Sequence, residues 1–174
     1  MLKIAFNSIY RHPLKIGHRF PMEKYELLPQ ELIRKSICSK TNFFSPLPIK
    51  KDHIFSTHCS TYYNNLVNLS LSKLDQRQIG FPLSKELVHR EHVIAQGTID
   101  NTNFAFEHGI SMNIAGGTHH AYRAKPGAFC MLNDQAIAAN YLIDNKLSSK
   151  VMIIDLDVHQ GDGTASIFQN QDSV

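Results

Sequence analysis

No two of the three cysteines in this 174-residue chain are spaced C-x-x-C, and an odd count builds no disulfide framework. Cys38, Cys59 and Cys130 therefore read as reduced thiols, and the expected compartment is the cytoplasm. Long apolar runs are also lacking. The opening Met1-Leu2-Lys3-Ile4-Ala5-Phe6 has neither the length of a membrane span nor a cleavage site, so no membrane association or secretion signal is expected. Charge of one sign is scarce as well. The formal net charge is +3, too small an excess to imply nucleic-acid binding. The basic residues at Arg34-Lys35, Lys40 and Lys50-Lys51 are scattered and read as a solvated face. No repeat or low-complexity tract stands out, which excludes a solenoid. What is present is 43% hydrophobic and 19% charged, the balance of a globular chain. Its length suits one domain, residues 1–174, with a real core.

The first half is read mainly from punctuation. Lys3 to Phe6 is expected to be a short strand, followed by polar, proline-bearing loops through Pro21. A helical stretch from about Glu23 to Ile37 is expected to be divided at Pro29, since proline breaks a helix interior. Ser36 to Lys51 reads as mixed loop, His53 to Phe55 as a second short strand, and Ser60 to Leu71 as a helix. Ser84 to His108 reads as helical with a break near Gly97, and Gly109 suits a helix C-cap.

The second half is sharper. Ile110 to Ile114 is strand-like and ends in the turn signal Gly116-Gly117. Asn133 suits the cap of a helix running through Ala136, Ile137, Ala139, Tyr141 and Leu142. Val151 to Asp155 is apolar without alternation, the pattern of a parallel strand buried on both faces. Strand, helix, strand over this length is a βαβ unit. The expected class is α/β, a parallel sheet flanked by helices.

Two unusual polar clusters follow the two expected strands. One is Thr118-His119-His120; the other is Asp155-Leu156-Asp157-Val158-His159, running into Gln160-Gly161-Asp162-Gly163. In extended backbone alternate residues share a face, so Asp155, Asp157 and His159 are aimed at one point. Carboxylates that close repel and call for a cation, and carboxylate oxygen and imidazole nitrogen are both zinc ligands. Ligands of open parallel sheets bind beyond the carboxyl ends of the strands, where both clusters lie. Zinc polarises a carbonyl and lowers the pKa of a bound water. One histidine then removes a proton from water, and a second protonates a leaving amine. Each needs a carboxylate to fix its tautomer. Beyond the ligands Asp157 and His159, Asp155 and Asp162 are spare, a count that fits a metal-assisted amide hydrolase. Spacing alone leaves open which aspartate does which job.

Gly116-Gly117-Thr118-His119-His120-Ala121, Ala128-Phe129-Cys130-Met131-Leu132-Asn133-Asp134 and Asp155 to Gly163, in that order, resemble the zinc-dependent histone deacetylase family, which includes acetylpolyamine amidohydrolases. Gly17-His18-Arg19-Phe20-Pro21-Met22-Glu23-Lys24-Tyr25 and Gln160 are similar to its class IV branch. The resemblance implies an arginase/deacetylase-like three-layer fold. It makes Asp157 and His159 ligands of Zn2+, and His119 and His120 the pair that handles water and leaving amine. Asp155 would pair with His119 and Asp162 with His120. Phe129 would wall a channel for the acyl-lysine stem. A monovalent cation such as K+ would be held by backbone around Asp155, Asp157 and His159. The implied substrate is an acyl-lysine protein or an acylated polyamine.

Two residues depart from the family pattern, Ala128 and Pro29; Pro29 falls where relatives tend to run a continuous helix and is expected to matter to local shape rather than chemistry. Ala128 stands where the family usually has glycine, and its methyl would narrow the channel or shift the loop if the backbone there needs positive φ. The family's third zinc ligand, an aspartate, and its oxyanion tyrosine cannot be placed before Val174, so the fold is expected to be incomplete at its C-terminus. Made alone, the chain is expected to be unstable and nearly inactive, unless another chain completes it. The competing reading is a non-catalytic remnant that binds metal or a partner. An arginase-like two-manganese enzyme is a third, disfavoured by the tandem histidines.

Overall fold

The computed structural model describes residues 1–174. Its sheet has three parallel strands in the order β2-β1-β3: β1 is Lys3–Ala5, β2 is Phe43–Phe44 and β3 is Ser111–Asn113. Ile4 of the central strand pairs with Phe43 on one side and Met112 on the other. The helices are α1 (Lys24–Arg34), α2 (Lys51–Phe55), α3 (Ser60–Val67), α4 (Lys73–Ile79), α5 (Lys85–His108), α6 (Asp134–Asp144) and α7 (Asp162–Phe168). This is the α/β class, a parallel sheet with helices packed upon it.

The organising element is α5. The Ser84 side chain accepts from Leu87 N at its start, and Gly109, at φ 80°, closes it in the left-handed conformation. It packs against β1, β3 and α6, burying Leu87, Val93, Ile94 and Ile99 with Ile4, Leu132 and Ile137 in the main core. The expected break near Gly97 does not occur. Gly97 is instead a point of close approach: a Cβ there would lie 2.8 Å from Tyr10 Oη and 3.0 Å from Asn113 Nδ2.

Three other expectations are corrected. α1 runs unbroken through Pro29, whose ring is buried; only one backbone bond, to the carbonyl of Tyr25, is forgone. His53 to Phe55 lies in the short helix α2, because an apolar run that short does not distinguish one helical turn from a strand. Val151 to Asp155 is not a paired strand. Val151 N bonds to Ser173 O at 2.8 Å, but no strand flanks the segment, and Met152 and Ile154 are 80% and 67% exposed. An apolar run becomes a buried strand only when neighbouring strands cover it, and β3 pairs with β1 alone. The segment Val151 to Asp157 therefore reaches the site as a single irregular stretch, which bends at Val158 and His159.

Candidate active site

The turn after β3 is built to present two histidines. Gly116 and Gly117, at φ 113° and 69°, reverse the chain in a region that side-chain-bearing residues avoid. Thr118 then locks onto the first residue of α6. Its N–H donates to Asp134 Oδ1 at 2.8 Å, and Asp134 N–H donates to Thr118 Oγ1 at 3.1 Å. Thr98 of α5 donates to Asp134 Oδ2 at 2.6 Å, so two helices hold one loop.

His119 and His120 follow with ring centroids 4.2 Å apart. His119 Nδ1 lies 2.6 Å from Asp155 Oδ2, and His120 Nδ1 lies 2.7 Å from Asp162 Oδ1. The hydrogen bond from His119 pulls Asp155 below the usual carboxylate range. Burial pushes Asp162 up, but bonds from His120 and Tyr122 outweigh it, and its net shift is also downward. Both aspartates are thus ionised acceptors, so Nδ1 carries the proton in each neutral imidazole. Each Nε2 is left to accept one. His119 is buried at 5% exposure, and His120 is partly so.

Asp157 and His159 line the same cavity, of about 570 Å3, with His119 and His120. His120 and His159 stand edge to face, centroids 6.1 Å apart. Asp157 Oδ1 accepts from both the backbone N–H and Nδ1 of His159, at 2.8 and 3.0 Å, and these bonds hold the carboxylate below its usual range. Their oxygen and nitrogen suit zinc. No group of three or more His, Cys, Asp or Glu side chains is disposed to hold a metal ion.

Phe129 lies on the cavity wall at φ 61°, its N–H donating to Ile79 O at 2.9 Å. The positive φ that was considered for Ala128 falls on Phe129 instead, so Ala128 is not strained by its methyl. Two further rings complete the wall, Phe20 from the segment similar to the class IV branch and Phe81, which the sequence had not marked. Phe20 and Phe81 lie 5.0 and 4.9 Å from Phe129 and 5.0 Å from each other. The Arg19 guanidinium sits over Phe129 at 4.9 Å. Two further positions carried no recognisable signal. His58, fully buried, donates from Nδ1 to Tyr122 O and accepts the Asn133 N–H at Nε2, both at 2.9 Å. Tyr122 donates its hydroxyl to Asp162 Oδ2 at 2.8 Å.

The histone deacetylase domain matches residues 18–174. This chain belongs to the histone deacetylase family. An uncharacterized protein of Picosynechococcus sp. is 37% identical over 171 residues, covering 98% of this chain and 57% of that protein. Histone deacetylase clr6 of Schizosaccharomyces pombe is 29% identical, over 94% of this chain and 41% of its own length. The acetoin utilization protein AcuC of Bacillus subtilis is 42% identical over 62 residues, covering 36% of this chain and 16% of that protein. The crystal structure of a deacetylase homolog from Aquifex aeolicus superposes with a TM-score of 0.81 at 21% identity, over 99% of this chain and 49% of that one, which shows the shared fold. The chain thus spans about half the length of the full-length relatives it matches.

Proposed function

We propose that this chain carries the proton-transfer half of a zinc-dependent amide hydrolase, one that removes acetyl-type acyl groups from lysine or polyamine amines. The observation that carries the reading is the pair of adjacent imidazoles, tilted by 54° to one another and each anchored through Nδ1 by its own aspartate, at one cavity. Two such pairs suit a reaction with two proton transfers, one from water and one to the leaving amine. His119–Asp155 and His120–Asp162 take those roles. The wall of Phe20, Phe81 and Phe129 suits an alkyl stem. Asp157 and His159 are the donors that zinc would use, and zinc supplies carbonyl polarisation and a more acidic water when bound. Because these two residues meet no third donor, zinc is expected to bind weakly and turnover by the chain alone to be slow. The unpaired thiols of Cys38, Cys59 and Cys130 support a reducing, cytoplasmic setting.

The same shortage of donors favours a second reading, a metal- or partner-binding unit without turnover. One assay separates them. The purified chain, with and without added zinc, is given an acetyl-lysine peptide, a fatty-acyl-lysine peptide and an acetylated polyamine. Zinc-dependent release of the carboxylic acid is expected, reduced about 10²- to 10⁴-fold by His120→Ala, the usual contribution of a positioned proton-transfer group. A folded, zinc-loaded chain that releases nothing from any of the three supports the second reading. Two manganese ions per chain overturn the zinc reading.

A further inference from the structure

The two His–Asp pairs are not built alike. Asp155 takes the His119 proton on Oδ2 and the Asp157 backbone N–H on Oδ1, at 2.6 and 3.0 Å, so both its oxygens are occupied by groups of the site itself. Asp162 takes the His120 proton and the Gly163 backbone N–H on Oδ1, at 2.7 and 2.9 Å. Its Oδ2 has one partner only, the Tyr122 hydroxyl at 2.8 Å. We propose that Tyr122 is a positioning residue: its hydroxyl fixes the rotation of the Asp162 carboxylate and so keeps His120 in the Nδ1–H form that leaves Nε2 free for the reaction.

The placement of Tyr122 is over-determined. Its N–H donates to Lys125 O at 2.9 Å, and Lys125 Nζ lies 4.2 Å from the centre of its ring. Its carbonyl accepts from His58 Nδ1 at 2.9 Å. His58 has no freedom to reverse this bond, because its Nε2 accepts the Asn133 N–H and its proton must therefore sit on Nδ1. Asn133 in turn donates from Nδ2 to Ala121 O and to Thr164 Oγ1 of α7, at 3.0 and 2.9 Å. The phenol is thus mounted on a frame joining the histidine loop, α6 and α7. The bond to Asp162 also raises the Tyr122 pKa, so the phenol remains a proton donor throughout the neutral range. The Asp162 side chain is 45% exposed, which leaves water as the competitor for Oδ2 once the hydroxyl is removed. Water satisfies the oxygen but fixes no angle. The carboxylate then pivots, Oδ1 swings off Nδ1, and His120 drifts toward the Nε2–H form.

The role rests on reading His120 as a proton-handling group, but its test does not require turnover. Tyr122→Phe keeps the ring, the Lys125 contact and the His58 clamp and removes one oxygen. The ring nitrogens of His120 are read by long-range 15N–1H NMR in the metal-free chain at high pH. In the parent chain two widely separated nitrogen resonances are expected, protonated Nδ1 and bare Nε2. In Tyr122→Phe they should converge, while those of His119 and His58 stay in place. Unchanged His120 resonances in a folded Tyr122→Phe chain overturn the proposal. Movement of all three histidines together also overturns it, since that reports a general loosening rather than one lost bond. Asp162→Asn calibrates the shift, because it deprives Nδ1 of its carboxylate directly. A failed deacylation assay leaves this result standing, and an unchanged His120 leaves the hydrolase reading standing.

Discussion

At Gly163 a methyl group would have nowhere to go. Its Cβ would lie 2.6 Å from the carbonyl oxygens of both His119 and Ala121, and backbone does not yield as a side-chain tip does. Helix propensity favours Gly163→Ala by about 1 kcal/mol. Overpacking against fixed backbone costs about 1–3 kcal/mol, and the Asn133 bond to Ala121 O keeps that backbone in place. Strain is therefore expected to win, with a lower urea midpoint and α7 pushed away so that Asp162 leaves His120. His58 makes a second prediction at this scale. Burial lowers its pKa to about 4, against about 6.5 when unfolded. The unfolded chain then binds more protons, so stability is complete above pH 6.5 and falls as the pH drops toward 4. The full loss is about 3 kcal/mol at about 1.36 kcal/mol per pKa unit. Melts at pH 7 and pH 5 check it, and His58→Gln should flatten the slope. Residues whose chemistry is unusual, His119, His120, Asp155, Asp157, His159 and Asp162, were legible in the sequence as a cluster. His58 and Tyr122 were not, because one buried histidine and one tyrosine look like any others until the fold brings them 64 and 40 residues across the chain to their partners.

Elements were legible where their ends are written in side chains. Ser84 and Gly109 bound α5 and Asn133 starts α6, each by a local hydrogen bond or backbone conformation that the residue itself prefers. Interiors misled where tertiary contact overrides propensity. Gly97 suggested a break because glycine weakens a helix, yet it is there to admit Tyr10 and β3. Gly97→Ala tests this. In a solvent-facing helix the change gains about 1 kcal/mol. Here the methyl meets Tyr10 Oη at 2.8 Å, Asn113 Nδ2 at 3.0 Å and Pro46 Cγ at 3.0 Å, from three separate segments. Tyr10 is completely buried and has no room to retreat. A net loss of about 1–2 kcal/mol is expected from chemical denaturation, with no loss of helix by circular dichroism. A gain in stability would show that the contact relaxes and that the glycine serves no packing purpose. Val151 to Asp155 failed for a different reason: a sequence records that a strand is apolar on both faces but not which strands must lie beside it.

The distribution of apolar surface over the molecule follows from that unpaired segment. Met152, Ile154, Leu156 and Val158 are 80%, 67%, 91% and 91% exposed, and Ile110 and Met112, at and beside the free edge of β3, are 65% and 39% exposed. The main core is closed, with Ile4, Ile54, Leu66, Ile94, Ile99 and Ile137 almost inaccessible. Stability and solubility are therefore separable: the first comes from the core around α5, the second is limited by one apolar strip and a strand edge. Met152→Lys with Ile154→Lys should lower concentration-dependent association, seen by light scattering, and lower the binding of a hydrophobic dye. The melting temperature should barely move, because substitutions of largely solvated side chains usually fall within about 0.5 kcal/mol. A large drop in melting temperature would mean that these two side chains are covered in solution, and that the strip is an interface in use rather than bare surface. The outcome bears on the site as well, since the strip alternates in sequence with Asp155, Asp157 and His159. Whatever covers Ile154 and Leu156 also fixes the backbone from which the aspartates and His159 project. Zinc affinity measured beside association in the same variant would show whether ordering of that segment and completion of the metal site are one event.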